Sequence, residues 1–327
     1  MMAVPTMLMG LLPTYETIGI AASILIVALR MCQGIAVGGE FTASIVFLAE
    51  NAPPRRRGFF ASFSMFGATT GTMLGAAVGG LLTSVMSAEA LASWGWRAAF
   101  VSGIAVAVVG VVIRRGMFDS PNKTAVASPL AVAFRDHRWQ VLRVLGLNVA
   151  SAATYYTLFV YAATWVSQTT TLPRAVALNI TTVTILTFLV VLPVAAWLSD
   201  RFGRKLMLVV GMSACLLLAY PLLTAMHAGV VVTTAAAQMA FGAILAVQMA
   251  SIPAAMTEMF PHGVRVSAVS VGYGLAYALF GGTAPAVATW LINRTGNDTV
   301  FAWYLMGLTA VSLVLALSLT DRRNQAL

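Results

Sequence analysis

The chain has 327 residues, 60% of them hydrophobic and only 9% charged, with a formal net charge of +9 and a mean hydropathy of +0.89. A soluble chain of this length needs far more charge to cover its surface, so the composition excludes an ordinary soluble fold and makes lipid the solvent. Its two cysteines and three histidines have no metal-ligand spacing, and no nucleophile and base stand together, so neither a metal centre nor an enzyme is expected.

Apolar runs predict ten spans: 1–12, which is short, then 20–50, 58–86, 97–115, 141–166, 176–199, 206–226, 229–257, 266–292 and 301–320. All are read as helices, because hydrocarbon offers no hydrogen-bond partner to open backbone, and the period-two alternation of a membrane barrel is absent. The expected fold class is all-α, a polytopic helical membrane bundle. Cys32 and Cys215 fall within spans and read as small buried hydrophobes. Met1 opens directly on apolar residues, without the basic segment of a signal peptide.

Cations set the orientation. If the loop after the second span is cytoplasmic, that side collects Arg55, Arg56, Arg57, Arg114, Arg115, Lys123, Arg135, Arg138, Arg143, Arg201, Arg204, Lys205, Arg265, Arg322 and Arg323, fifteen of the nineteen. The C-terminus is then cytoplasmic. The positive balance is a topology signal and an attraction to anionic lipid, with no aromatic-interleaved basic patch for nucleic acid.

Between two long apolar runs sits LSDRFGRK, residues 198–205, with four ionic side chains in eight positions. Its Asp200 follows a helix end and can accept hydrogen bonds from the free N–H groups of the next helix. Gly203 allows a tight turn, and Arg201, Arg204 and Lys205 are free to meet lipid headgroups or acids of the neighbouring bundle. Elsewhere the chain repeats itself. ENAPPRRR (50–57) and EMFPHGVR (258–265) align Glu50 with Glu258, Pro53 with Pro261 and Arg57 with Arg265, at an offset of 258 − 50 = 208. The offset carries Asp200 to a position before Met1, so the repeat predicts a parent of twelve helices lacking its first two here.

Together LLPTYETIGIAA (11–22), RMCQGIAVGGE (30–40), AENAPPRRRG (49–58), WGWRAAF (94–100), SDRFGRK (199–205), TEMFPHGVR (257–265) and VGYGLAYALFGGTAPAVATWLI (271–292) resemble the metabolite:proton symporter family of the major facilitator superfamily. That group includes proline/betaine, α-ketoglutarate, shikimate and citrate symporters. The FTASIVFLAENAP stretch looks more like the proline/betaine type. The resemblance implies a two-bundle carrier in the cytoplasmic (inner) membrane, driven by the proton gradient without a bound cofactor. Its partners would be protons, a small polar metabolite and the bilayer.

The implied organisation is an incomplete N-terminal bundle over 1–115, a cytoplasmic linker over 116–140 and a six-helix bundle over 141–327. The chain departs from the family pattern at Ala196, where a Gly is usual, and at Ala98 and Ala99, where a helix-start Pro is missing. The alternative to a working carrier is a truncated, non-transporting remnant of one.

Intramembrane charge carries the functional expectation, because it is costly and usually paired. Arg30 and Glu40 share the second span, about 15 Å apart along its axis. For Arg30 the resemblance implies a coupling or substrate-anchoring cation; the alternative is a side chain that snorkels or packs structurally. Glu40 can carry a proton or bond structurally, and Gln33 lies almost on its stripe. By the same resemblance, Asp200, Arg201, Gly203 and Arg204 form a cytoplasmic gate with Glu50 and Glu258 as acceptors. Polar stripes add Asn148, Tyr155, Gln248 and Tyr273 as possible cavity residues, with helix-to-helix hydrogen bonding as the equal alternative.

Overall fold

The computed structural model describes residues 2–53, 55–115 and 128–321. Residues 116–127 of the expected linker, with Lys123 among them, and Arg322 and Arg323 lie outside them. The described residues contain helices and no strand. Among the described residues, eight helices are long and apolar enough to cross a membrane. We number the ten main helices α1 (Ala3–Leu11), α2 (Ile20–Glu50), α3 (Arg57–Val85), α4 (Trp96–Arg115), α5 (Arg138–Thr169), α6 (Arg174–Phe202), α7 (Arg204–His227), α8 (Val231–Thr257), α9 (His262–Thr295) and α10 (Phe301–Leu317). α1 and α10 are the shorter two.

The boundaries differ from expectation where side chains supply what lipid would not. LSDRFGRK is not a loop: α6 runs through Phe202, α7 starts at Arg204, and Gly203 alone interrupts them at φ 111° and ψ 151°. L side chains rarely adopt that conformation, so a one-residue turn here calls for glycine. The span expected from 97 is also helical further back, through a π turn at Leu91–Gly95 and a short helix from Ala88. The missing proline at Ala98–Ala99 therefore falls inside a helix and not at its start.

The chain separates into two compact units. One comprises Met1–Phe41 and Gly71–Ala125, the other Thr42–Thr70 and Val126–Leu327. In the first, α1 packs along α4, where a Cβ added to Gly10 would come within 2.8 Å of Phe100 Cβ. Arg97 donates to the Leu12 carbonyl at 3.3 Å and ties the end of α1 down. The most apolar stretch of α2, by contrast, has no buried residue.

The second unit holds the core. The corresponding stretches of α5 and α8 are each 72% buried. α6 and α7 both pack against α8, α10 against α5 and α7, and α9 against α5. Without a hydrophobic force between helices in lipid, close van der Waals approach and interhelical hydrogen bonds hold such a bundle. Both are visible: Gly211 lets α7 lie on the Gln248 backbone, 2.7 Å from where its Cβ would be. Ser312 of α10 donates to the Gly146 carbonyl of α5 at 2.6 Å and accepts from the Ala150 N–H at 3.2 Å. The cysteines divide. Cys215 is buried beside Thr309, as expected, but Cys32 is exposed, because α2 turns that face outward.

Candidate functional site

At the α6–α7 turn a buried charge cluster forms. Asp200, Arg204 and Glu258 have side chains only 3–4% exposed. Arg204 lies 2.6 Å from the Asp200 carboxylate and 3.3 Å from that of Glu258, and donates to Ser199 Oγ at 3.1 Å. Of the two expected surroundings, lipid headgroups or acids, Arg204 takes the second, because two buried acids need a cation nearby. Arg201 is the exposed one, its guanidinium lying over the rings of Trp197 and Phe202.

Asp200 does cap a helix, but a different one from that expected. Its two oxygens accept the backbone N–H groups of Gly58 and Phe59, each at 2.8 Å, at the start of α3 and not of α7. Two of the orphan donors at that helix end are thus satisfied by a carboxylate 142 residues away. Gly58 makes the approach possible: a Cβ there would sit 2.6 Å from Arg204 Nη1 and 3.0 Å from Asp200 Oδ1.

The repeated loops meet each other. Glu50 of the first forms an ion pair with buried Arg265 of the second and lies 3.5 Å from His262. In the opposite sense, the positive charge of Arg57 in the first loop acts on Glu258 in the second. Burial pushes the Glu258 carboxyl up from its ordinary range, with Arg204 and Arg57 pulling it down and Asp321 adding to the rise. Thr42 and Ser270 also bond across the same two strands of chain. Positions 57 and 265, matched by the offset, thus face the acids at 258 and 50.

The membrane-interior candidates are dispersed. Gln33 donates to Thr6 of α1 at 2.6 Å, not to Glu40. Arg30 is exposed and makes no ion pair among the described residues, while Glu40 is half-buried on the same unbroken helix. Asn148 spends its amide on the Val144 carbonyl and Met256 Sδ, the helix-to-helix alternative. Gln248 is fully buried, and its amide finds no partner among the described residues. Tyr155 and Tyr273 are half-buried members of an aromatic row that also contains Phe188, Phe159, Tyr156 and Tyr277.

Sequence reasoning missed one pair altogether. His227 Nε2 lies 3.1 Å from Asp298 Oδ2, and Trp165 donates to the Asp298 carbonyl at 2.9 Å. The signal was a single histidine and a single acid on loops of the same side, which spacing alone does not join.

A bundle of long apolar helices whose two like loops are joined by the Glu50–Arg265 ion pair has the architecture of a multi-pass membrane protein. The Major Facilitator Superfamily sequence pattern matches residues 1–173 and again 144–326, and the chain belongs to that family. It is 31% identical to a glycine betaine/proline/ectoine/pipecolic acid transporter of Dickeya dadantii, over 100% of this chain and 68% of that protein. It is 33% identical to a citrate-proton symporter of Klebsiella pneumoniae, over 99% of this chain and 74% of the relative. Among solved structures, the proton:xylose symporter shares the fold at a TM-score of 0.77 and 18% identity, covering 98% of this chain and 79% of that one.

Proposed function

We propose that the chain is a secondary carrier of the cytoplasmic (inner) membrane, its C-terminus cytoplasmic. It couples proton entry to uptake of a small polar organic metabolite, a carboxylate or a zwitterion of the proline or betaine kind. The observation that carries this reading is the reciprocal cluster of Asp200, Arg204 and Glu258 with Glu50 and Arg265. Alternating access needs a cytoplasmic contact that is stable when made and can be broken as a unit, and capped, paired charges supply one.

In that scheme residues 1–115 and 141–327 are the two bundles joined by 116–140, and Arg30, Gln33 and Glu40 carry coupling or substrate contact. Arg201 and Gly203 belong to the gate with Asp200 and Arg204. The proton gradient is the energy source and no bound cofactor is needed. The relatives named for betaine, proline and citrate support the substrate class.

The test is accumulation of radiolabelled glycine betaine, proline and citrate by proteoliposomes under an imposed inward proton gradient. Uptake above equilibrium for at least one of them, abolished by a protonophore, is expected. No accumulation of any under any gradient is the behaviour of a non-transporting remnant and overturns the proposal.

A further inference from the structure

We propose that the row of aromatic rings in the second unit seats a substituted ammonium head group, making the substrate a zwitterion with an alkylated ammonium and not a simple carboxylate. The proposal rests on the carrier reading and narrows its substrate class.

The row is continuous. Phe188 of α6 meets Phe159 of α5 at 5.4 Å between centroids, and Phe159 meets Tyr155 at 4.9 Å. Tyr155 adjoins Tyr156 at 6.0 Å, Tyr156 reaches Tyr277 of α9 at 6.5 Å, and Tyr277 stacks on Tyr273 at 4.1 Å and 24°. All four tyrosines are partly accessible, whereas Asn148 and Gln248 are shut inside the helix packing. The Tyr155 hydroxyl is 3.5 Å from Thr69 Oγ1.

Backbone geometry singles out the same place independently. α5 and α9 both abandon the α-helical repeat here, in π turns at Thr157–Tyr161 and Tyr277–Gly281. A π turn costs regular hydrogen bonding and re-aims the side chains beside it, and such turns concentrate at functional sites. The two turns are neighbours: a Cβ on Gly281 would come within 2.9 Å of the Tyr156 ring.

Charge then selects the ligand. From Arg138 to Leu317 the sequence contains three acids, Asp200, Glu258 and Asp298. The first two are engaged by Arg204 and the third by His227. Along these helices each of the three carboxylates has a basic partner, so a ligand cation is left with the ring faces, whose quadrupoles attract quaternary and alkylated ammonium groups in a poorly hydrated setting. A purely anionic substrate gains nothing from six uncharged rings.

Binding to the full chain in nanodiscs tests this by calorimetry, with glycine betaine and 3,3-dimethylbutanoate, the isostere in which carbon replaces the ammonium nitrogen, as probes. Betaine is expected to bind at least about tenfold more tightly than the isostere. Tyr155→Leu and Tyr273→Leu are each expected to weaken betaine about tenfold, and Tyr155→Phe and Tyr273→Phe to stay within about threefold, since the ring face persists. Equal binding of the isostere to the unsubstituted chain, leucine variants that bind betaine normally, or no betaine binding would each overturn the proposal. Uptake by the same protein in proteoliposomes separates the two readings. Citrate uptake without betaine binding sinks the aromatic seat and leaves the carrier, whereas ring-dependent betaine binding without uptake of any metabolite does the reverse.

Discussion

Arg204 and Arg30 are both arginines on apolar helices, and they live in opposite surroundings. Arg204 is buried between two carboxylates and beside a helix end that one of them caps. Arg30 lies on the first unit's long helix, exposed and without an ion pair among the described residues. The contrast separates two uses of charge in a lipid-facing chain. One charge is a fixed part of the fold, neutralised at each contact, whereas the other is exposed and has no ion pair among the described residues.

The strongest way to break this comparison is Arg204→Leu. It leaves two carboxylates buried without their cation, so a loss of about 3–5 kcal/mol is expected, read as a lower midpoint of thermal unfolding in detergent. Arg30→Gln is the matched control, expected within about 0.5 kcal/mol of the unsubstituted protein in the same assay while abolishing gradient-driven uptake. If the two arginines cost the same stability, they are not in different surroundings.

Gly58→Ala comes next. The added methyl collides with Arg204 and Asp200, and the expected cost is about 1–3 kcal/mol from overpacking and loss of the cap. Gly103→Ala, whose nearest neighbour would be 3.5 Å away, serves as the tolerated glycine.

The smallest effect is a pH dependence. Glu258 holds its proton more tightly in the cluster than in water, because burial outweighs the nearby arginines. Protonation therefore favours the clustered state, and that contribution is lost as the pH rises from the ordinary carboxylate value of 4.5 through the raised one. Thermal scans across this range are expected to show a slope that Glu258→Gln flattens; an equal slope in the variant assigns it to another group.

Much of the fold was legible because lipid simplifies the code. Long apolar runs have one stable answer, and eight of the ten expected spans stand among the described residues as helices long and apolar enough to cross a membrane. Legibility failed where a polar residue is satisfied by something distant in sequence. LSDRF reads as a loop until Asp200 is seen to find its donors at Gly58 and Phe59, after which nothing obliges the helix to stop before Gly203.

Among candidate residues, Glu50, Arg204 and Glu258 were readable from the internal repeat and the loop motif, since repeated loops tend to occupy equivalent places. Their pairing was not. The offset aligns Glu50 with Glu258 and Arg57 with Arg265, but says nothing about each acid facing the other loop's arginine. The polar stripes left two readings open for a related reason. Helical spacing puts Asn148 and Tyr155 on one face, yet a face can be partly buried in the bundle and partly open, and Asn148 turned out to be on the closed part.

Asp200, held by Arg204, ties the start of α3 to the α6–α7 turn, and this attachment fixes the distance between them. It is tested most directly by electron–electron distance measurement between spin labels at Phe63 and Phe202, both exposed, after replacement of Cys32 and Cys215. A single narrow distance distribution is predicted, becoming broad in Arg204→Leu. The same narrow distribution with and without Arg204 would contradict it.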